Sequence, residues 1–215
     1  MAAILNNLRN TIIVGLILAL IMIVAFASVH GSYDMQLWQA IFRWMHVFFG
    51  ILWIGLLYYF NFVQSRKVPD IPAELRPAIS KYITPEALFW FRWSALFTVL
   101  AGLCVAALRG KDYAANVFTF GLAGGLTPDK YGYSLMGIGI YLALIMFLNV
   151  WGVIWRIQKR LIQWTAANAT NGTPIPEKAT RMARMAFLTS RISAFLTIPL
   201  LFLMGAASHY PMFGP

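Results

Sequence analysis

RWMHVFFGILWIGLLYYFNFVQ, residues 43–64, decides the fold of this chain. A helix needs roughly 20 residues, at about 1.5 Å each, to cross the hydrocarbon core of a bilayer, and this run is long and apolar enough. It starts at an arginine, holds a single histidine and is lined with Trp, Tyr and Phe. An ionisable imidazole in such a helix is costly, which makes His46 a candidate ligand or redox residue. At helical spacing Arg43, His46, Gly50, Trp53, Leu57, Asn61 and Gln64 fall on one stripe, predicted to be the inner face.

The rest of the chain has the same character. Its 215 residues are 60% hydrophobic and 11% charged, with a mean hydropathy of +0.69. A soluble domain carries about 25% charged residues, so the composition is that of a membrane protein. Five segments qualify as spans: about 11–29, 44–63, 88–108, 133–155 and 185–208. The expected fold is all-α, a single membrane domain over 1–215 built as a five-helix bundle. Residues 11–29 exceed a usual signal-peptide core and lack a strongly basic leader, so they are read as a retained span rather than a cleaved signal. Thr84-Pro85-Glu86 and Thr127-Pro128-Asp129 have the grammar of helix starts, and Thr173 to Glu177 precedes the fifth span.

A net charge of +10 invites a nucleic-acid reading, but the distribution of charge argues for membrane orientation instead. With the N-terminus inside, the inner segments hold Arg9, Arg66, Lys67, Arg76, Lys81, Arg156, Lys159, Arg160, Lys178, Arg181 and Arg184. The outer ones hold only Arg109, Lys111 and Lys130. The positive-inside rule then predicts a cytoplasmic N-terminus, a periplasmic C-terminus and a multi-pass protein of the bacterial inner membrane, with no nucleic-acid partner. Residues 156–168 are expected to extend the fourth helix as a basic, amphipathic segment on the inner surface. The unusually apolar outer loop, 110–130, suits an interfacial or re-entrant segment, or a partner surface.

Candidate chemistry is sparse. Cys104, the one cysteine, excludes an internal disulfide, a cysteine metal cluster and a CxxCH haem attachment. The spans hold no Asp or Glu, which argues against proton-coupled pumps and transporters. The three histidines, His30, His46 and His209, all fall toward the predicted outer face. Gly50 removes bulk one turn below His46, and Arg43 stands one turn above, where it can pair with a carboxylate. That set suits haem b between helices, with His46 and either His209 or His30 as iron ligands and Trp53 on the same face. A structural histidine bonded to a carbonyl, with Gly50 packing a helix, explains the same pattern. A three-histidine copper or zinc site with Asp34 is a further alternative. Arg92, in FWFRW, and Arg191 can each bind an anionic cofactor group or lipid headgroup, or snorkel to the interface.

Four stretches carry a family resemblance: WMHVFFGILWIGLLYYFNFVQ (44–64), PEALFWFRWSALFTVLAG (85–102), NVWGVIWRIQKR (149–160) and SRISAFLTIPLLFLMGAASHYP (190–211). In this order they resemble the N-terminal membrane domain of bacterial membrane-bound urate oxidases (urate hydroxylases) and stand-alone proteins sharing it. Arg156 stands where the relatives' IWPxQK pattern has a proline. The resemblance implies a membrane domain tied to electron transfer, with His46 and His209 both inside matched motifs. Full-length members add a C-terminal c-type cytochrome. The sequence ends at Pro215 without a CxxCH, so any such cytochrome is expected to be a separate partner.

The leading expectation is a membrane redox module that binds haem b near the outer face and passes electrons to a respiratory-type chain. The alternative is a non-catalytic subunit of a larger respiratory or photosynthetic complex, docking other subunits and bound lipids. A urate-oxidase-like component, an oxidoreductase acting with a separate cytochrome c, comes third.

Overall fold

The computed structural model describes residues 2–31, 33–122, 125, 127 and 130–209, without the side chain of His30. These residues are helical, and none of them forms a strand. Five helices are long and apolar enough to cross a membrane: Leu8–Val29, Met35–Asp70, Arg76–Leu108, Tyr131–Asn171 and Lys178–His209. Each contains one of the five expected spans. The chain is therefore an all-α, multi-pass membrane protein. Its contacts divide it into two compact units, Met1–Ile41 and Phe42–Pro215.

The first unit is dominated by α1, Leu8–His30. The side chain of Asn7 caps it, accepting from the backbone N–H of Arg9 and Asn10 at 3.0 and 3.3 Å. Gly31, at φ 67°, ends it in the left-handed conformation that a residue with a Cβ adopts only with strain. Asp34 then caps α2, Met35–Tyr58, by accepting from Leu37 N at 3.0 Å. The helix therefore starts well before Arg43. His46 sits roughly three turns into it. Asp34, raised above as a possible metal ligand, is engaged as a helix cap.

In the second unit α2 passes directly into a π-helical segment, Tyr59–Gln64. The next span begins at Arg76 and passes through a π-helical turn, Ile79–Ile83, into α3, Thr84–Leu108. Thr84 is thus inside a helical run, not at its cap. Pro85 brings no N–H to the ladder, and the wider turn just before it absorbs that loss. After α4, Lys111–Phe118, comes α5, Tyr131–Leu148, which continues through a third π-helical segment, Asn149–Ile154, into α6, Trp155–Asn171. Pro128 and Asp129, expected to start that span, lie outside the described residues. The basic extension is one helix with the fourth span and packs against α7, Lys178–His209.

Lipid tails are as apolar as leucine, so packing and polar contacts between helices hold such a bundle together. The core joins Trp53 and Leu57 of α2 to Leu88, Phe91 and Ala95 of α3. Met146, Val150 and Ile154 of the fourth span and Ala194 and Leu200 of α7 complete it. On the predicted inner stripe of α2, Trp53, Leu57 and Asn61 are buried. The facing surface of α3 is small: Ser94, Ala95, Thr98 and Ala101 are buried there.

The described first part of the apolar 110–130 connection folds onto α5. Val117 of α4 is fully buried, and the carbonyls of Phe118 and Phe120 accept from the hydroxyls of Tyr141 and Ser134. Phe120 takes a positive φ of 57°, unusual outside glycine, and its ring lies on Tyr141 with centroids 5.0 Å apart. Gly137 makes the approach possible, because a Cβ there would collide with the Val117 carbonyl and press on the Phe120 ring. Gly137→Ala is expected to push α4 off α5 and destabilise the protein by about 1–3 kcal/mol. Unfolding in detergent checks this, together with faster proteolysis between residues 110 and 130.

Candidate functional site

His46 is held by α3. Its Nδ1 lies 2.8 Å from the Thr98 carbonyl oxygen, a contact that bridges 52 positions of sequence. A carbonyl only accepts, so Nδ1 carries the proton and donates. The ring lies over Gly102: a Cβ at that position would stand 2.8 Å from Nδ1 and 2.9 Å from Cε1. Thr98 and Gly102 are one turn apart on α3, and together they form a seat shaped to the imidazole. The hydroxyl of Thr98 is turned back to the Ser94 carbonyl at 2.7 Å. Nε2 of His46 makes no hydrogen bond to any described residue.

The other expected residues fall as follows. Gly50, one turn below His46, faces the Thr98 methyl group, which would lie 3.7 Å from an added Cβ. A side-chain methyl there would make only ordinary van der Waals contact with it. Arg43 is exposed. Trp53 is buried, and its Nε1 has no hydrogen-bond partner among the described residues. His209, at the exposed end of α7, has its Nδ1 3.2 Å from the Gly205 carbonyl, which fixes the same tautomer as in His46. His30 ends α1, and its side chain lies outside the described residues. Among the described residues no three His, Cys, Asp or Glu gather in a way that could hold a metal ion.

A second polar layer joins the π-helical end of α2 to α7. Tyr58 and Thr197 share a hydrogen bond at 2.9 Å. The buried Asn61 amide donates to the Leu57 carbonyl and to Ser190 Oγ, each at 2.8 Å. Ser65 donates to the Asn61 carbonyl at 2.8 Å and accepts from Arg191 at 3.2 Å. Asn149, at the start of the third π-helical segment, reaches Ser193 at 3.4 Å. Helical periodicity places Asn61 on the inner face but does not identify these partners. The signal available was the set of Ser and Thr in LTSRISAFLT, whose spacing puts Ser190, Ser193 and Thr197 on one face of α7.

The two arginines of the spans differ. Arg191 is tied to Ser65 and lies 5.0 Å from the Phe187 ring. Arg92 is enclosed by aromatic rings, with its guanidinium carbon 3.7 Å from the centroid of Trp155 and about 6 Å from those of Phe89, Trp93 and Trp151. Trp151 Nε1 donates to the Arg92 carbonyl at 3.2 Å, which locks α3 to the fourth span.

Comparison of this chain with protein-family models, with curated proteins and with solved structures finds no match.

The seat of His46 separates two glycines that look alike in sequence. Gly102→Ala is expected to displace the imidazole or part α2 from α3, costing about 1–3 kcal/mol. Gly50→Ala meets only ordinary van der Waals contact and gains about 0.5–1 kcal/mol of helix propensity. Unfolding of the two variants in detergent, side by side, checks the ordering.

Proposed function

We propose that this chain is a membrane redox module in which His46 and His209 offer Nε2 lone pairs to the iron of a haem b. The observation that carries this reading is shared by both residues. Each imidazole donates Nδ1–H to a backbone carbonyl, of Thr98 or of Gly205, and so leaves Nε2 on the far side of the ring from that bond. Histidines that bind metals are oriented in this way, by an outer hydrogen bond that also raises their basicity. The Gly102 seat restricts how the His46 ring can turn. Arg43, one turn along α2, supplies a cation for a propionate. When bound, the haem supplies one-electron chemistry at a potential set by its axial ligands and surroundings.

The basic loops support an inner-membrane orientation with the N-terminus cytoplasmic, and this would set His46 and His209 toward the periplasmic side. A separate c-type cytochrome would be the exchange partner there. The resemblance of residues 44–64 and 190–211 to the membrane domain of urate oxidases supports the same respiratory context.

A second reading rests on the same contact. Because Gly50 is filled by the Thr98 methyl and the imidazole rests on Gly102, close packing of two helices also accounts for both glycines. In that case the chain is a non-catalytic subunit of a respiratory or photosynthetic complex.

Purified from cells with ample haem, the protein is expected to show a b-type reduced-minus-oxidised spectrum. His46→Ala abolishes it, and His209→Ala abolishes or changes it. A colourless preparation, or an unaltered spectrum in His46→Ala, contradicts the redox reading. The subunit reading predicts recovery with stoichiometric partners after mild extraction, and histidine substitutions that leave the assembly intact.

A further inference from the structure

The fourth span carries an open groove of about 670 Å³ along one face, away from the His46 seat. Trp151, Gly152, Trp155, Arg156, Lys159 and Arg160 line it. The lining changes character along the helix. Its first part is apolar and aromatic, on the membrane-spanning segment, and its second part is three exposed cations within two turns. No carboxylate among the described residues pairs with Arg156, Lys159 or Arg160. Gly152 opens the floor, since an added Cβ there would meet nothing within 4 Å. The guanidinium of Arg92 of α3 lies 3.7 Å from the centroid of Trp155 and holds that ring in place.

We propose that this groove binds an anionic phospholipid, with the headgroup phosphate on Arg156, Lys159 and Arg160 and the chains along Trp151 and the apolar helix above. The phosphate requires the cations, and the join between apolar helix and basic helix is the level of a lipid headgroup. A tail-bearing ligand uses both halves of the groove, whereas a free anion uses only one. The guanidinium of Arg92 cannot be replaced by an ammonium in this arrangement, because a flat cation is needed to stack on the indole. The groove does not depend on the redox reading of His46.

Native mass spectrometry of the detergent-purified full chain, with phosphatidylglycerol or phosphatidylcholine added, tests the site. Phosphatidylglycerol is expected to be retained at least about tenfold better, since each basic residue at such a surface contributes about fivefold. The combined Arg156→Gln, Lys159→Gln and Arg160→Gln variant should lose that preference. So should Gly152→Leu, which fills the floor without changing the charge. Equal retention of the two lipids, or loss in the charge variant alone, overturns the proposal, the latter by showing diffuse attraction without a groove. Displacement of phosphatidylglycerol by inorganic phosphate alone would assign the cations to a free anion and likewise contradict it.

Discussion

The seating of the His46 ring of α2 on Thr98 and Gly102 of α3 is the interaction on which the candidate site depends. The imidazole of His46 is only part-buried, and it is held in place by a hydrogen bond within the protein. It finds the Thr98 carbonyl, and it reaches that carbonyl only because Gly102 leaves the surface of α3 open beneath the ring. Gly50 lies opposite the Thr98 methyl on the next turn. Below that point Trp53 and Leu57 continue the contact into the core that the fourth span and α7 complete.

Two polar levels follow from this arrangement. At one, the His46 ring is fixed by its Nδ1 hydrogen bond to the Thr98 carbonyl. At the other, Asn61, Ser65, Ser190 and Thr197 tie the π-helical end of α2 to α7. The π-helical segments at Tyr59–Gln64 and Asn149–Ile154 carry Asn61 and Asn149 into that second level. Such segments occur often at functional positions in helices. The open groove described above lies on the surface of the fourth span.

Much of the fold was legible because a bilayer imposes its length on a helix. The five apolar runs, and the stripe that buries Trp53, Leu57 and Asn61, can be read from periodicity alone. The start of α2 was harder, because Arg43 looks like an interfacial anchor while the actual cap, Asp34, lies outside the apolar run. Thr84-Pro85-Glu86 has the form of a helix start, but a π-helical turn absorbs the proline and lets the helix continue. No local pattern indicates such a turn. A carbonyl partner for His46 was one of the alternatives read from the sequence and is found, but which carbonyl it is was illegible for a different reason. It is a backbone carbonyl on another helix, and a carbonyl has no residue type to recognise.

The redox reading depends on whether the two oriented imidazoles share an iron. Low-temperature electron paramagnetic resonance of the oxidised, purified protein addresses this most directly. The account predicts a low-spin ferric signal of two imidazole ligands that turns high-spin in His209→Ala and vanishes in His46→Ala. A folded protein with no ferric haem signal, or with the same low-spin signal in both variants, would contradict it.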